Sequence, residues 1–146
     1  MKLYLDLCLY NRPFDYQGQE RVALETSAFM YIIDKVEKGE YTILCSEALI
    51  YENDKNLDEE RKDRIISYLD LAVEFIKIEN ADILRAHFLN NIGFSDMDSL
   101  HIALAEKSNS AYFVTCDDDI IKLYKRNIKD VKVKIVSIIE LIGMEA

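Results

Sequence analysis

Apolar residues along this chain recur at two different spacings. From Gln19 to Lys38, Val22, Leu24, Ala28, Ile32, Ile33 and Val36 return every three or four positions, the repeat of one helix face, and Gly39 is placed to end it. The same spacing predicts a helix capped by Asp58 and running to about Phe75, with Ile65, Ile66, Leu69 and Val73 on one stripe. Further helices are expected from Glu47 behind Ser46 as N-cap, from Asp82 to Asn90, over SDMDSLHIALAEKSN opening at Ser95, and from about Asp118 to Lys125. Between them lie the short apolar runs KLYLDL at 2–7, YTILC at 41–45, AYFVTC at 111–116 and VKIVSI at 133–138. These have strand length and carry the branched and aromatic side chains that strands favour. The tract around Asn11-Arg12-Pro13 breaks regular structure. Alternating strands and helices predict an α/β three-layer sandwich: a central parallel sheet of four to five strands with helices on both faces. With no internal repeat, linker or low-complexity tract, the 146 residues are expected to form one domain.

Composition adds three points. Half of the residues are hydrophobic and a single proline is present, as a packed core requires. The 27 acidic residues outnumber the 18 basic ones, giving a net charge of −9, which argues against binding nucleic acid through a diffuse cationic surface. One basic stretch stands against that balance: Lys122, Lys125, Arg126, Lys129, Lys132 and Lys134, opposed only by Asp130. Arg12 and Lys55 are expected to add charge near the mouth of the proposed site, so a basic rim for an RNA backbone competes here with an ordinary solvated surface. Cys8, Cys45 and Cys116 are odd in number, far apart in sequence and lack a CxxC pair. They read as small buried thiols in a reducing compartment. With no leader and no apolar run near the ~20 residues that span a bilayer, a cytoplasmic protein without membrane attachment is expected.

The acids carry the chemistry. In an open parallel sheet, reactive groups collect at the carboxyl ends of the strands. Asp6 closes the first apolar run, Asp117 follows AYFVTC, Asp98 lies in the first turn of its helix, and Glu52 stands six residues past Ser46. A first-turn acid or an aspartate after a strand is ordinary capping chemistry when met alone. Asp6 is different, because an unpaired charge among apolar neighbours in a parallel sheet is costly unless a cation meets it. Four converging carboxylates repel one another unless protons or divalent metal ions are present, and oxygen-only ligands suit Mg²⁺ or Mn²⁺. One or two such ions can activate water and polarise a phosphodiester.

The segments YLDLCLYNRPFD, SEALIYE and DMDSLHIALAEKSNSAYFVTCDDDII resemble, in order, the motifs of PIN-domain proteins, and cover most of the chain from Leu3 to Ile121. The resemblance implies a PIN-like fold and a Mg²⁺- or Mn²⁺-dependent ribonuclease. It makes Asp6, Glu52, Asp98 and Asp117 the catalytic and metal-binding acids, with Asp119 as a further outer ligand. Many members of the family are VapC-type toxins paired with an antitoxin protein, and homodimers are usual. Thr115, in Thr115-Cys116-Asp117, is matched to a supporting role. Where members place Asn soon after the first Asp, this chain has Leu7 and Cys8, and Asn11 comes later. Arg12, Lys122, Lys125 and Arg126 are the expected RNA contacts. Glu47 competes with Glu52, and Asp96 with Asp98. His101 reads either as a general base or as a helix-packing residue bonded to nearby backbone, and Asp118 as a helix cap. The competing functions are a catalytically silent PIN-like binding module and a phosphoacceptor receiver. The receiver is disfavoured because Ser137 stands where a receiver needs lysine at the end of its last strand.

Overall fold

A computed structural model of the chain describes residues 1–145. Five strands, β1 (Lys2–Leu5), β2 (Thr42–Ser46), β3 (Glu74–Ile76), β4 (Tyr112–Thr115) and β5 (Lys134–Ser137), form an all-parallel sheet in the order β3-β2-β1-β4-β5. Eight helices cover both of its faces: α1 (Leu7–Asn11), α2 (Glu20–Glu37), α3 (Glu47–Asp54), α4 (Glu59–Leu69), α5 (Asn80–Ile92), α6 (Asp96–Lys107), α7 (Asp118–Arg126) and α8 (Ile138–Glu145). This is the expected three-layer α/β sandwich, with five strands. None of the helices is long and apolar enough to cross a membrane.

β1 lies at the centre, paired with β2 on one side and β4 on the other. Leu3, Tyr4 and Leu5 are therefore completely buried, the near-continuous apolar run typical of a strand covered on both faces. The strand order reverses direction at β1, with β2 and β3 to one side and β4 and β5 to the other. In doubly wound sheets the crevice opens at such a reversal, outside the carboxyl ends of the strands. Asp6 extends the β1 ladder by one bond, donating from its N–H to the Val114 carbonyl at 2.9 Å. The chain then turns directly into α1, with Asp6 as N-cap.

Local caps follow the sequence closely. Ser46 Oγ accepts from the Leu49 N–H, Asp58 Oδ1 from Arg61, and Ser95 Oγ from Asp98, each satisfying a first-turn donor that no helical carbonyl can reach. Gly39, past the end of α2, has φ +76°, a left-handed conformation that glycine adopts without a Cβ penalty.

Three expectations are corrected. The helix beginning after Asp58 stops at Leu69, not near Phe75. Beyond it the Val73 N–H reaches the Ile43 carbonyl, and Glu74–Ile76 join the sheet as edge strand β3. Val73 and Phe75 are 67% and 51% exposed, so this edge carries no inside–outside alternation by which it could be read. The Asn11-Arg12-Pro13 tract is helical: α1 runs into a short 3₁₀ turn over Arg12–Phe14, with Pro13 near its start, where a missing N–H costs nothing. The last strand ends at Ser137, whose Oγ accepts from the Glu140 N–H at 3.0 Å and opens α8. That helix was hidden in an uninterrupted apolar run.

Candidate metal centre

Asp6 is the hub. Its carboxylate is buried; Oδ1 accepts from the Leu7 N–H at 2.9 Å, and Oδ2 from the Thr115 hydroxyl at 2.7 Å. Thr115 Oγ1, itself fully buried, also accepts from the Asp117 N–H at 3.1 Å. One hydroxyl thus ties the acid after β1 to the acid after β4. Burial raises the Asp6 carboxyl above its ordinary range, and the neighbouring Glu52 charge pushes it the same way, against the lowering influence of His101 and Thr115.

Asp98 is half-buried at the start of α6. Its carboxyl is pushed up to about 6, first by burial and then by the charges of Asp6 and Asp117, although Ser95 and His101 oppose the shift. The electrostatic couplings therefore link Glu52 to Asp6, Asp6 to Asp98, and Asp98 to Asp117. Asp117 itself is exposed, caps α7, and accepts from the Asp119 N–H at 2.9 Å. Asp6 and Asp98, both raised by burial and by neighbouring acids, mark a site that favours positive charge.

Asp6, Glu52 and His101 each offer one ligand atom, and these atoms lie within 4.8 Å of one another. The donor set suits a divalent cation, and the buried acid of the set is the one whose ionisation burial opposes. Glu52, on α3, places Oε1 3.0 Å from His101 Nε2. Glu47 turns elsewhere: its Oε1 accepts from the Ile78 N–H at 2.8 Å, bracing the chain beyond β3. Asp96 accepts from the Asn90 amide at 2.9 Å. The two competitors are thus occupied away from the cluster.

The remaining residues divide. Asn11 donates to the Leu7 carbonyl and accepts from Arg61, within the α1–α4 contact. The Arg12 guanidinium is held by Glu25 at 2.9 Å and Asp15 at 2.8 Å. Lys122, Lys125 and Arg126 are exposed along α7 and form no ion pair among the described residues. At spacings of three and four they share one helix face. Asp118 does not cap its helix with its side chain. It takes a two-pronged contact from Arg21 at 2.7 and 2.9 Å, which lowers its carboxyl pKa.

Four features were not anticipated from the sequence. Arg21 also donates to the Cys116 carbonyl at 2.9 Å, so it clamps the β4–α7 turn that carries Asp117. Its clamp and the buried Glu25 beneath it leave no trace in helical periodicity. Arg21→Ala is expected to lower the urea midpoint, since the exposed Asp118 pair contributes little but the buried Glu25 carboxylate and the Cys116 carbonyl each lose a donor. Cys8 sits beside the cluster, its sulfur 3.6 Å from Asp6 Oδ2 and 3.4 Å from the Cys116 N–H. Contact with Cys116 and burial keep its thiol protonated. His101 bonds side chains rather than backbone, namely Tyr4 and Glu52. The available signal was positional: Tyr4 and Asp6 are two apart in a strand, hence on one side of it, and His101 is three residues beyond Asp98.

No protein-family model matches the chain, and no curated protein matches it. Among solved structures, it is similar to a chain of the VapBC2 complex from Rickettsia felis bound to a DNA fragment from its promoter. The likeness covers 94% of this chain and 98% of that one, with a TM-score of 0.64 and 13% sequence identity. The shared feature is the fold, and it is the PIN-like fold that the motif order implied.

Proposed function

We propose that the protein is a divalent-metal-dependent endoribonuclease that hydrolyses RNA phosphodiester bonds at the cluster of Asp6, Glu52, Asp98 and Asp117. The observation that carries this reading is the convergence of ligand atoms of Asp6, Glu52 and His101 within 4.8 Å of one another, with Asp117 tied to the buried Asp6 through the Thr115 hydroxyl and Asp98 close enough to feel the Asp6 charge. Asp6, Glu52, Asp98 and Asp117 would hold one or two Mg²⁺ or Mn²⁺ ions, with Asp119 as an outer ligand. Such an ion supplies polarisation of the phosphodiester and a more acidic water. The chain's own contributions are positional. Thr115 fixes the relative placement of Asp6 and Asp117. The half-buried Asp98, raised to about 6 without a cation, gives up its proton as the cation binds. The Lys122, Lys125 and Arg126 face of α7, which Asp117 caps, offers cations to an RNA backbone leaving the site.

By the same reading the protein is a toxin-like nuclease controlled by an antitoxin protein and acting as a homodimer in the cytoplasm. The VapBC2 neighbour, a two-component complex, supports the antitoxin part of that reading. The test is incubation of a mixed RNA pool with purified protein in Mn²⁺, in EDTA, and with Asp98→Asn. Cleavage in Mn²⁺ that disappears in EDTA and falls at least about 100-fold in the variant is expected. A folded protein that neither binds Mn²⁺ nor cleaves RNA would favour the silent binding module.

A further inference from the structure

Tyr4 is a completely buried residue at the centre of the sheet, yet its hydroxyl has two side-chain partners: Ser46 Oγ and His101 Nδ1, both at 2.7 Å. His101, also completely buried, continues the chain through Nε2 to Glu52 Oε1 at 3.0 Å. Ser46 closes the other end by accepting from the Leu49 N–H at 3.1 Å. Four elements, β2, β1, α6 and α3, are joined by this one line of polar contacts through an apolar interior.

Its polarity follows from donor and acceptor counts. An ionised Glu52 can only accept, so the proton of the 3.0 Å contact lies on His101 Nε2. With a neutral ring, Nδ1 then accepts, and the Tyr4 hydroxyl must donate to it. Tyr4 stays protonated, since burial pushes its phenol well above the usual range. The Ser46 hydroxyl in turn donates to Tyr4. Every member is satisfied, which a polar chain in a core requires.

We propose that His101, oriented by Tyr4 and Ser46, is a positioning residue that presents Glu52 to the cation. The inference rests on the metal-dependent reading above. Glu52 is a flexible side chain at a half-exposed site on an eight-residue helix. Held through Oε1, it keeps its second oxygen for a cation in a fixed direction, and the ordering cost is met before the cation arrives. A rigid outer partner of this kind typically changes metal affinity 10–100-fold. The rival arrangement has His101 as a ligand itself, since its ring lies within the 4.8 Å cluster. That would need Nε2 without a proton and Nδ1–H donating to Tyr4.

Two measurements on the full chain decide the matter. The protein has two histidines, and His87 is exposed, so the imidazole ¹⁵N–¹H spectrum of the metal-free wild type reports the buried ring separately. A proton on Nε2 is expected; an unprotonated Nε2 with Nδ1–H overturns the proposal in favour of direct ligation. The second measurement is Mn²⁺ affinity by calorimetry for wild type, Tyr4→Phe, His101→Gln, His101→Leu, Glu52→Gln and Tyr4→Phe combined with Glu52→Gln. Tyr4→Phe and His101→Leu are expected to weaken Mn²⁺ binding by about 10-fold or more. His101→Gln, which keeps an N–H near the position of Nε2, recovers part of that loss. In the Glu52→Gln background, Tyr4→Phe makes no further difference, whereas general loosening of the core would weaken both backgrounds equally. Wild-type affinity in Tyr4→Phe, or additive losses, overturns the positioning role while leaving the nuclease reading intact. Wild type that binds no Mn²⁺ removes the nuclease reading and the positioning role together.

Discussion

Asp6→Asn is expected to act in opposite directions on activity and stability. Mn²⁺-dependent cleavage should fall at least about 100-fold, beyond the range typical of removing an outer partner, while the metal-free protein becomes more stable by about 0.5–2 kcal/mol. Both effects follow from one fact: a carboxyl buried beside other acids is raised above its ordinary range because its charged form is disfavoured there. A cation reverses that penalty; without one, an amide of the same shape avoids it. The oxygen of Asn can still accept from the Leu7 N–H, as Oδ1 does at 2.9 Å. The Thr115 hydroxyl must turn, since it currently donates to Oδ2 at 2.7 Å. Urea unfolding in EDTA gives the sign. A variant less stable than wild type would mean that the hydrogen bonds to Asp6 outweigh the repulsion, and that Asp6 is a cap before it is a ligand.

That balance also explains what the sequence could and could not reveal. The elements around the cluster were legible where a local signal coincided with the tertiary one. Ser46, Asp58 and Ser95 cap the helices they precede, and the apolar runs that form β1, β2 and β4 are buried as expected. Asp6 stood out because a charge inside LYLDLCLY conflicts with its neighbours, and conflicts of that kind concentrate at functional sites. The edge strand β3 was missed because the helical stripe of apolar residues continues past the point where α4 ends. Ile65 and Leu69 are buried on that stripe, but Val73, the next residue in step, already belongs to the sheet edge. The Tyr4–His101–Glu52 line was missed for a different reason. Its contacts span 97 and 49 residues, and no periodicity encodes a side-chain bond between a strand, a helix and a third element. Glu47 and Glu52 were separable only in three dimensions, where one braces Ile78 and the other meets His101.

Stability of the metal-free protein is expected to fall as pH rises from about 4 to above 6, the opposite of ordinary acid denaturation. The Asp98 carboxyl lies at about 6 in the folded protein against 3.8 ordinarily. Between those values the folded chain retains a proton that the unfolded chain has released, so each rise in pH favours unfolding. The contribution is fully present below the ordinary value and is lost as pH passes through the folded one. Asp6, also raised, adds a slope of the same sign. Asp118 has the reverse sign, because Arg21 lowers its carboxyl; its contribution is lost only as pH falls below the ordinary carboxylate range, so the two effects occupy separate windows. Mn²⁺ should invert the picture. Binding requires ionised ligands and competes with their protons, so the stabilisation it provides grows with pH, reaching about 2.7 kcal/mol at a free concentration 100 times its Kd. Urea midpoints at several pH values in EDTA and in Mn²⁺ should therefore diverge above pH ~6, the folded Asp98 value, and Asp98→Asn should flatten the EDTA curve. Parallel curves would show that the acids do not share a cation, because a ligand that displaces no protons cannot change the slope.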